Sequence, residues 1–163
     1  MSKLSRLLIG CFLLLLIFVS VPVMAQQKPV QLSLFAPIQL FPESDAITGI
    51  RLNFLYGRNT TVVGLDWGLV NHNTSGLSKG WQVGVVGIVD ADFLGLQDNA
   101  VNIVKGKFEG LQLGIINHSN HVSGVQFGFV NYARSIKGLQ IGLINIIGQG
   151  GQFPIFPIVN WSF

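Results

Sequence analysis

The sequence predicts an all-β protein in which an up-and-down antiparallel meander of about eight strands closes into a small barrel. Three observations predict this. One phrase recurs along the chain, as in GLQLGIIN, GVQFGFVN and GLQIGLIN, which begin at Gly110, Gly124 and Gly138. Apolar and small or polar residues alternate within the phrase, and short polar segments separate its copies. A parallel β-solenoid is the alternative architecture, because each repeat could also form one coil.

The repeat fills most of the chain. Its first glycine recurs every 14 to 16 residues, at Gly49, Gly64, Gly80, Gly95, Gly110, Gly124 and Gly138. Its closing asparagine recurs at Asn71, Asn102, Asn117, Asn131 and Asn145, and once more at Asn160. Seven repeats and a divergent eighth therefore form a single β-repeat domain over residues 47–163. The period is shorter than that of the helical repeat families, so the unit is a strand and a turn, or one thin coil.

Alternation within the repeat gives each strand two different faces. One face carries Phe108, Gly110, Gln112, Gly114 and Ile116, and the other carries Glu109, Leu111, Leu113, Ile115 and Asn117. The second face is an apolar centre with a polar residue at each end. The segment His118 to His121 has the length of a hairpin connection.

The meander is favoured over the solenoid because each repeat offers one apolar strand and only a short polar remainder. If residues 122–132 fold back on residues 108–118, Gln112 lies opposite Gln126, so the repeat itself specifies the register. An open meander would leave two exposed edges. Closure with the apolar face outward gives a transmembrane barrel with strands of about 9 to 11 residues, and its partner would be the lipid bilayer.

The glutamine face would then line a narrow interior. The predicted interior residues are Arg51, Asp66, Gln82, Gln97, Gln112, Gln126 and Gln140. The first two carry opposite charges at the same level of neighbouring strands, so we expect an interior ion pair between Arg51 and Asp66.

Asp98 is the main objection to the membrane barrel. It occupies the place of Leu113 and Phe127 on the proposed lipid face, where a charge is costly. Three explanations for Asp98 are open: its strand shifts register, a partner or the lead segment covers it, or the apolar face points into a soluble core.

The N-terminal residues predict export. Lys3 and Arg6 precede an apolar run, and VMA at residues 23–25 supplies a small-residue cleavage site, so residues 1–25 are predicted to be a signal peptide. A retained membrane anchor, or lipidation at Cys11, is the alternative. Cys11 is the only cysteine, so the mature protein would have no disulfide. The lead segment, residues 26–46, is predicted to form an extra strand or to lie against the barrel.

No catalytic, cofactor-binding or metal-binding residues are predicted, and the protein is expected not to be an enzyme. His118 and His121 share one turn with no cysteine or carboxylate to complete a metal site. Asp90 and Asp92 provide too few oxygen ligands for calcium. Removal of residues 1–25 leaves eight basic and seven acidic residues, so the charge does not favour a nucleic-acid partner.

Two resemblances bear on location. The C-terminal FPIFPIVNWSF, with Trp161 and Phe163, resembles the assembly signal of bacterial outer-membrane proteins, which implies the barrel-assembly machinery as a partner. From Leu52 onward the chain resembles bacterial surface proteins built from GlQiGlvN-type repeats. That resemblance implies a cell-surface location and no established activity.

The expected function is therefore that of a small outer-membrane or cell-surface β-repeat protein with a structural or surface-interaction role. The alternative is a secreted or surface-attached β-solenoid for binding or adhesion. The sequence does not identify the surface ligand or protein partner.

Overall fold

A computed structural model describes residues 27–163, which form an all-β protein. The predicted signal peptide and Cys11 lie outside the described residues. The strands are β1 (Gln27–Phe35), β2 (Ile38–Gln39), β3 (Ala46–Asn59), β4 (Val62–Asn73), β5 (Leu77–Val89), β6 (Asp92–Gln149) and β7 (Ile155–Ser162). They form one sheet in the order β2-β1-β3-β4-β5-β6-β7. The long β6 contains four successive repeats.

The all-β class is confirmed, but the antiparallel meander and its closed barrel are wrong. Strand β3 pairs in parallel with β4, β4 with β5 and β5 with β6, and each first glycine lies beside the next, as Gly64 does beside Gly80. The strands at the two ends of the sheet, β2 and β7, pair with other strands and not with each other. The described chain is therefore a β-solenoid with one repeat per coil, which was the alternative architecture.

The repeat makes a coil because it bends at the segment Gly-x-x-Asn. The Asn117 side chain lies inside this corner, where its Nδ2 donates to the Phe127 carbonyl of the next coil at 3.0 Å. The Asn117 Oδ1 accepts from Asn102 Nδ2 at 2.8 Å, and Asn117 Nδ2 donates to Asn131 Oδ1 at 2.8 Å. After the bend, the polar remainder of each repeat forms a second arm of the coil. The prediction that this remainder is a hairpin turn was therefore wrong.

The two arms of each coil enclose an interior of three zones. Gln126 and Gln140 reach across it from the first arm and donate to the carbonyls of Tyr132 and Ile146 on the second, at 3.2 and 3.1 Å. The corner asparagines lie on one side of the glutamines. On the other side lies an apolar stack formed by Val89, Phe93, Val104, Phe108, Val122, Ala133, Ile136 and Ile147. The core is therefore polar over much of its section, with its amides hydrogen-bonded.

The first glycine of each repeat lies where a side chain cannot. Gly110 has a φ of +131°, and a Cβ there would collide with the carbonyl oxygen of Gly95 in the preceding coil. Glycine at this position allows the coils to stack at the spacing of a β-sheet.

Both ends of the solenoid carry antiparallel strands. In the lead segment, β1 pairs in parallel with β3, while the short β2 pairs antiparallel with β1. Strand β7 pairs antiparallel with β6, and its register shifts between Gly142 and Asn145. Asn160 consequently lies beside Gln140 and not in the place of a corner asparagine. The repeat pattern continues to the C-terminus in sequence, but its last strand reverses direction.

Candidate interaction surface

The predicted interior glutamines form a ladder along the solenoid axis. Each Nε2 donates to the Oε1 of the preceding coil, from Gln97 to Gln82 at 2.8 Å, from Gln112 to Gln97 at 2.7 Å and from Gln126 to Gln112 at 2.7 Å. Gln140 continues the ladder to Gln126 at 2.8 Å, and all these side chains are fully buried. The glutamines are therefore bonded to one another inside the solenoid, with only the Gln140 Oε1 at the end of the ladder lacking a donor, and their burial keeps them from contacting a ligand.

The ion pair between Arg51 and Asp66 replaces the ladder in the first two repeats. The Arg51 Nε and Nη2 atoms donate to the two carboxylate oxygens of Asp66, each at 2.7 Å. Nη2 also donates to Asn73 Oδ1 at 2.7 Å, and Gln82 Nε2 donates to Asp66 at 2.9 Å. Arg51 is fully buried and Asp66 is 2% exposed, so the pair is an interior structural element.

The apolar residues of the first arm point outward. This apolar face comprises the outward positions between the first glycine and the corner in each coil. Its exposed large residues are Ile50, Leu52, Phe54, Trp67, Leu69, Trp81, Val85, Leu111, Ile115, Phe127, Phe129 and Leu143, and β1 adds Val30, Leu32 and Leu34. The second arm carries His72, Asp90, Lys105 and other polar residues on its outside. The solenoid therefore has one apolar side and one mainly polar side.

The apolar face is large for the surface of a single chain. Its five aromatic residues are about half exposed, from 47% for Trp81 to 67% for Phe54. At roughly 200 Å² per aromatic side chain, they alone expose about 500 Å². The largest apolar patch of an ordinary monomer measures about 300–600 Å², and the aliphatic residues extend this one further. A patch of this size is a candidate contact surface.

Hollows indent the apolar face of residues 27–163. One of about 580 Å³ lies near the N-terminal end and is lined by residues that include Leu34, Phe54 and Trp67. A smaller hollow of about 270 Å³ adjoins it through Phe54 and Trp67. Another, of about 330 Å³, lies near the C-terminal end between Phe127, Phe129 and their neighbours. The face is therefore corrugated.

Asp98 is the one charged residue on this face. It lies beside Val83 in the register, which continues to Trp67 and Leu52, and Gln97 pairs with Gln82 at the same time. Its strand therefore keeps the common register. Asp98 is partly buried and makes no hydrogen bond or ion pair with any residue from 27 to 163.

A polar network on the second arm was not predicted from the sequence. The Tyr56 hydroxyl lies 2.8 Å from His72 Nδ1, His72 Nε2 lies 2.9 Å from Asp90 Oδ2, and Lys105 Nζ lies 2.7 Å from Asp90 Oδ1. The four residues belong to four successive coils. The only signal in the sequence was their recurrence at outward positions 15 to 18 residues apart.

The network has the order of a catalytic triad but not its electrostatics. Burial raises the pKa of Tyr56, so its phenol is protonated at neutral pH and is not an activated nucleophile. Burial also acts to raise the pKa of Asp90, but hydrogen bonds from Lys105 and His72 outweigh it and hold that pKa below its usual value. The network is best described as a lateral link between coils.

The other candidate residues are dispersed. His118 stacks on Tyr132 with ring centroids 4.7 Å apart, whereas His121 Nδ1 lies 2.8 Å from Ser135 Oγ. Within residues 27–163 no group of three or more histidine, cysteine or acidic side chains is placed to hold a metal ion. In the same part of the chain, no helix has the length and apolar character needed to cross a membrane.

The two aromatic residues of the C-terminal resemblance lie on the terminal strand and beyond it. Trp161 pairs with Leu139 across β7 and β6, and its ring meets Phe153 edge-on at 6.3 Å. Phe163 follows the strand and is 89% exposed. Trp161 thus belongs to the strand at the edge of the sheet, and neither residue closes a barrel.

Comparisons with protein families, curated proteins and solved structures gave no match to this chain. The apolar side chains and the single carboxylate of the face are therefore the features that bear on function.

Proposed function

We propose that the protein is an exported β-solenoid of the outer membrane or cell surface, with a structural or interaction role and no catalysis. The single observation that carries this proposal is the exposed apolar face. The hydrogen-bonded amides and the apolar stack fill the interior, so these outward residues do not stabilise a core. Their exposure to water is costly, and contact with a partner would remove that cost.

The partner of this face is a lipid bilayer or another surface molecule, and not a nucleic acid. Residues 27–163 carry eight basic and seven acidic side chains, so their net positive charge is small, and Arg51 is buried against Asp66 while Arg58 pairs with Glu43 at 2.9 Å. Lys105 pairs with Asp90. Nucleic-acid binding requires several free cations along one surface.

Cell fractionation combined with labelling of intact cells tests the location. We expect a membrane-impermeant amine reagent to label the protein in intact cells, and the protein to sediment with the envelope. Protein that is found only in the cytoplasm, and is labelled only after lysis, would refute the proposed location.

Paired variants test the role of the face. Replacing Phe127 and Phe129 by serine removes exposed aromatic surface without touching the interior, and Ile103→Ser, at a partly exposed position of the second arm, is a control for loss of apolar surface elsewhere. We expect the double variant to lose envelope association, and the control to retain it. Flotation with vesicles of purified lipid then separates a bilayer from a protein partner. Equal association of the double variant and the control would contradict the proposed role.

A further inference from the structure

Two columns of side chains cross the strands of the face, and the apolar groove between them opens into a hollow on either side of Asp98. One column contains Trp67, Val83 and Asp98 in register, and the other contains Leu69 and Val85, two residues further along the same strands. Residues two apart on a strand are separated by about 6.6 Å, so the groove admits one hydrocarbon chain or the edge of an aromatic ring. An α-helix, which is about 10 Å across, is too wide for it.

The groove carries a charged residue at one position, Asp98. The facing residue in the other column is Ala100, whose side chain is smaller than those of Leu69 and Val85 in the preceding coils. Asp98 has apolar neighbours along its column and no partner among residues 27–163. A carboxylate that is partly withdrawn from water in apolar surroundings attracts a cation more strongly than one in bulk solvent.

The groove extends from Asp98 towards the C-terminal end of the face. At the spacing of about 4.8 Å between strands, the strand of Phe127 and Phe129 lies about 10 Å away and that of Leu143 about 14 Å away. These residues surround the hollow of about 330 Å³, which Ile158 of the terminal strand also lines. The hollow begins at Gly114, which lies against Asn99 of the preceding coil, so an apolar hollow starts on the strand next to that of Asp98.

We propose that this groove binds an elongated amphiphile that carries a single cationic group. The cation pairs with Asp98, and the apolar body lies along the groove towards Leu143. This inference rests on the proposed interaction role of the face and specifies the chemistry of one ligand. Charge complementarity favours such a ligand over a second copy of the chain, which would bring only apolar residues or another Asp98 against Asp98. A bilayer would likewise leave Asp98 without a partner.

Calorimetric titration of the purified full chain with two matched probes tests the proposal. Decyltrimethylammonium and decyl sulfate carry the same alkyl chain with opposite charges, and both are used below their micellar concentrations. We expect one cationic probe per chain, bound at least ten times more tightly than the anionic probe. Equal affinities, or no binding of either probe, would overturn the proposal.

Charge variants identify the recognising residue. Asp98→Asn should reduce the preference for the cation to near unity, whereas Glu109→Gln, an exposed position of the same domain outside the two columns, should keep it. A preference unchanged in Asp98→Asn would refute the role of Asp98. Ala100→Leu should block the groove and abolish binding of both probes while the circular dichroism spectrum stays that of the wild type. Tight binding in this variant would refute the location.

The state of association provides the last control. The chain should sediment as a monomer at the concentrations of the titration, with the groove open. A dimer that Phe129→Ser dissociates would assign the face to a second copy and overturn the amphiphile site, yet leave the proposed interaction role in place. If the face variants lose envelope association but the wild-type chain binds neither probe, the amphiphile site is refuted and the proposed interaction role stands.

Discussion

Replacement of Asp66 by glutamine tests the balance of charge inside the solenoid. Asp66 receives both donors of the Arg51 guanidinium at 2.7 Å, and the arginine side chain is fully buried. Asp66→Gln keeps a side-chain oxygen but removes the negative charge. The guanidinium then stays buried and unpaired, which costs about 3–5 kcal/mol. Arg51→Gln leaves the carboxylate unpaired and should cost a similar amount.

The double variant should lower the free energy of unfolding by much less than the sum of the two single changes. With glutamine at positions 51 and 66, the interior would carry the amide ladder that later coils already contain. The residual cost comes from Asn73 Oδ1 and the His72 carbonyl, which lose the donors of Arg51 at 2.7 and 3.1 Å. Unsatisfied buried acceptors cost about 1–3 kcal/mol each. Adding Asn73→Val should recover part of this, because Val89 occupies the equivalent place in the next coil.

Urea unfolding followed by far-ultraviolet circular dichroism measures these changes. With a slope of about 2 kcal/mol per molar urea, either single variant should lower the midpoint by about 2 M. Because the two side chains are in contact, the double-mutant cycle should show strong coupling. The reasoning is refuted if Asp66→Gln lowers stability by less than about 1 kcal/mol, or if the two single effects simply add in the double variant.

Three further changes test other parts of the fold. Gly110→Ala should destabilise the chain by more than about 3 kcal/mol, because φ is +131° and the Cβ meets backbone, whereas Gly150→Ala has open space and should cost less in the same unfolding assay. Gln112→Leu should cost about 1–3 kcal/mol by interrupting the amide ladder, and slowed hydrogen exchange there would contradict this. The free energy of unfolding should fall above about pH 10, because Tyr56 ionises more readily in the unfolded chain, and below about pH 4, as the lowered pKa of Asp90 is approached. Tyr56→Phe should reduce the fall at high pH, and Asp90→Asn should reduce the fall at low pH. A pH dependence that stays unchanged in these variants would exclude the two groups.

The alternation of the repeat was enough to identify which side chains lie inside as far as the corner. Beyond it the assignment was wrong, because the bend exposes Ile116 and buries Asn117. Gln112 and Gln126 are buried and Phe127 is exposed, and these assignments follow from the strand period alone. They do not depend on whether neighbouring strands run parallel or antiparallel, since each side chain keeps its face in both arrangements. The class of the fold and the inner face could therefore be predicted before the topology.

The direction of neighbouring strands could not be predicted in the same way. The inner face of the repeat has nearly the same pattern in both chain directions, so an antiparallel hairpin and a parallel coil both bring Gln126 beside Gln112. The difference lies in the corner after Gly114, where Asn117 satisfies backbone carbonyls that a straight strand would pair elsewhere. A repeated Gly-x-x-Asn therefore carried information about bending that alternation did not.

The candidate surface was also only partly predictable. Asp98 was recognised as an exception because its neighbours in the repeat are Leu113 and Phe127. Ala100 faces it in the other column, and the length of the groove depends on the parallel register, which places equivalent side chains in straight columns. The network from Tyr56 to Lys105 involves residues outside the repeated phrase, so only the stacking of coils could reveal it.

The stacking of coils places different demands on the two sides of each strand. Inside, the Nε2 atom of each glutamine from Gln97 onward meets the Oε1 atom of the preceding coil at 2.7 to 2.8 Å, so these levels need the same residue type, and the first two repeats need a complementary pair instead. Outside, water could satisfy any polar residue, and the ladder would be equally stable with serine or threonine on that face. The fold therefore does not require Phe127, Phe129 or Trp67 to be apolar. The proposed function accounts for their exposure by contact with another molecule, and the proposed amphiphile site gives a role to the single carboxylate among them.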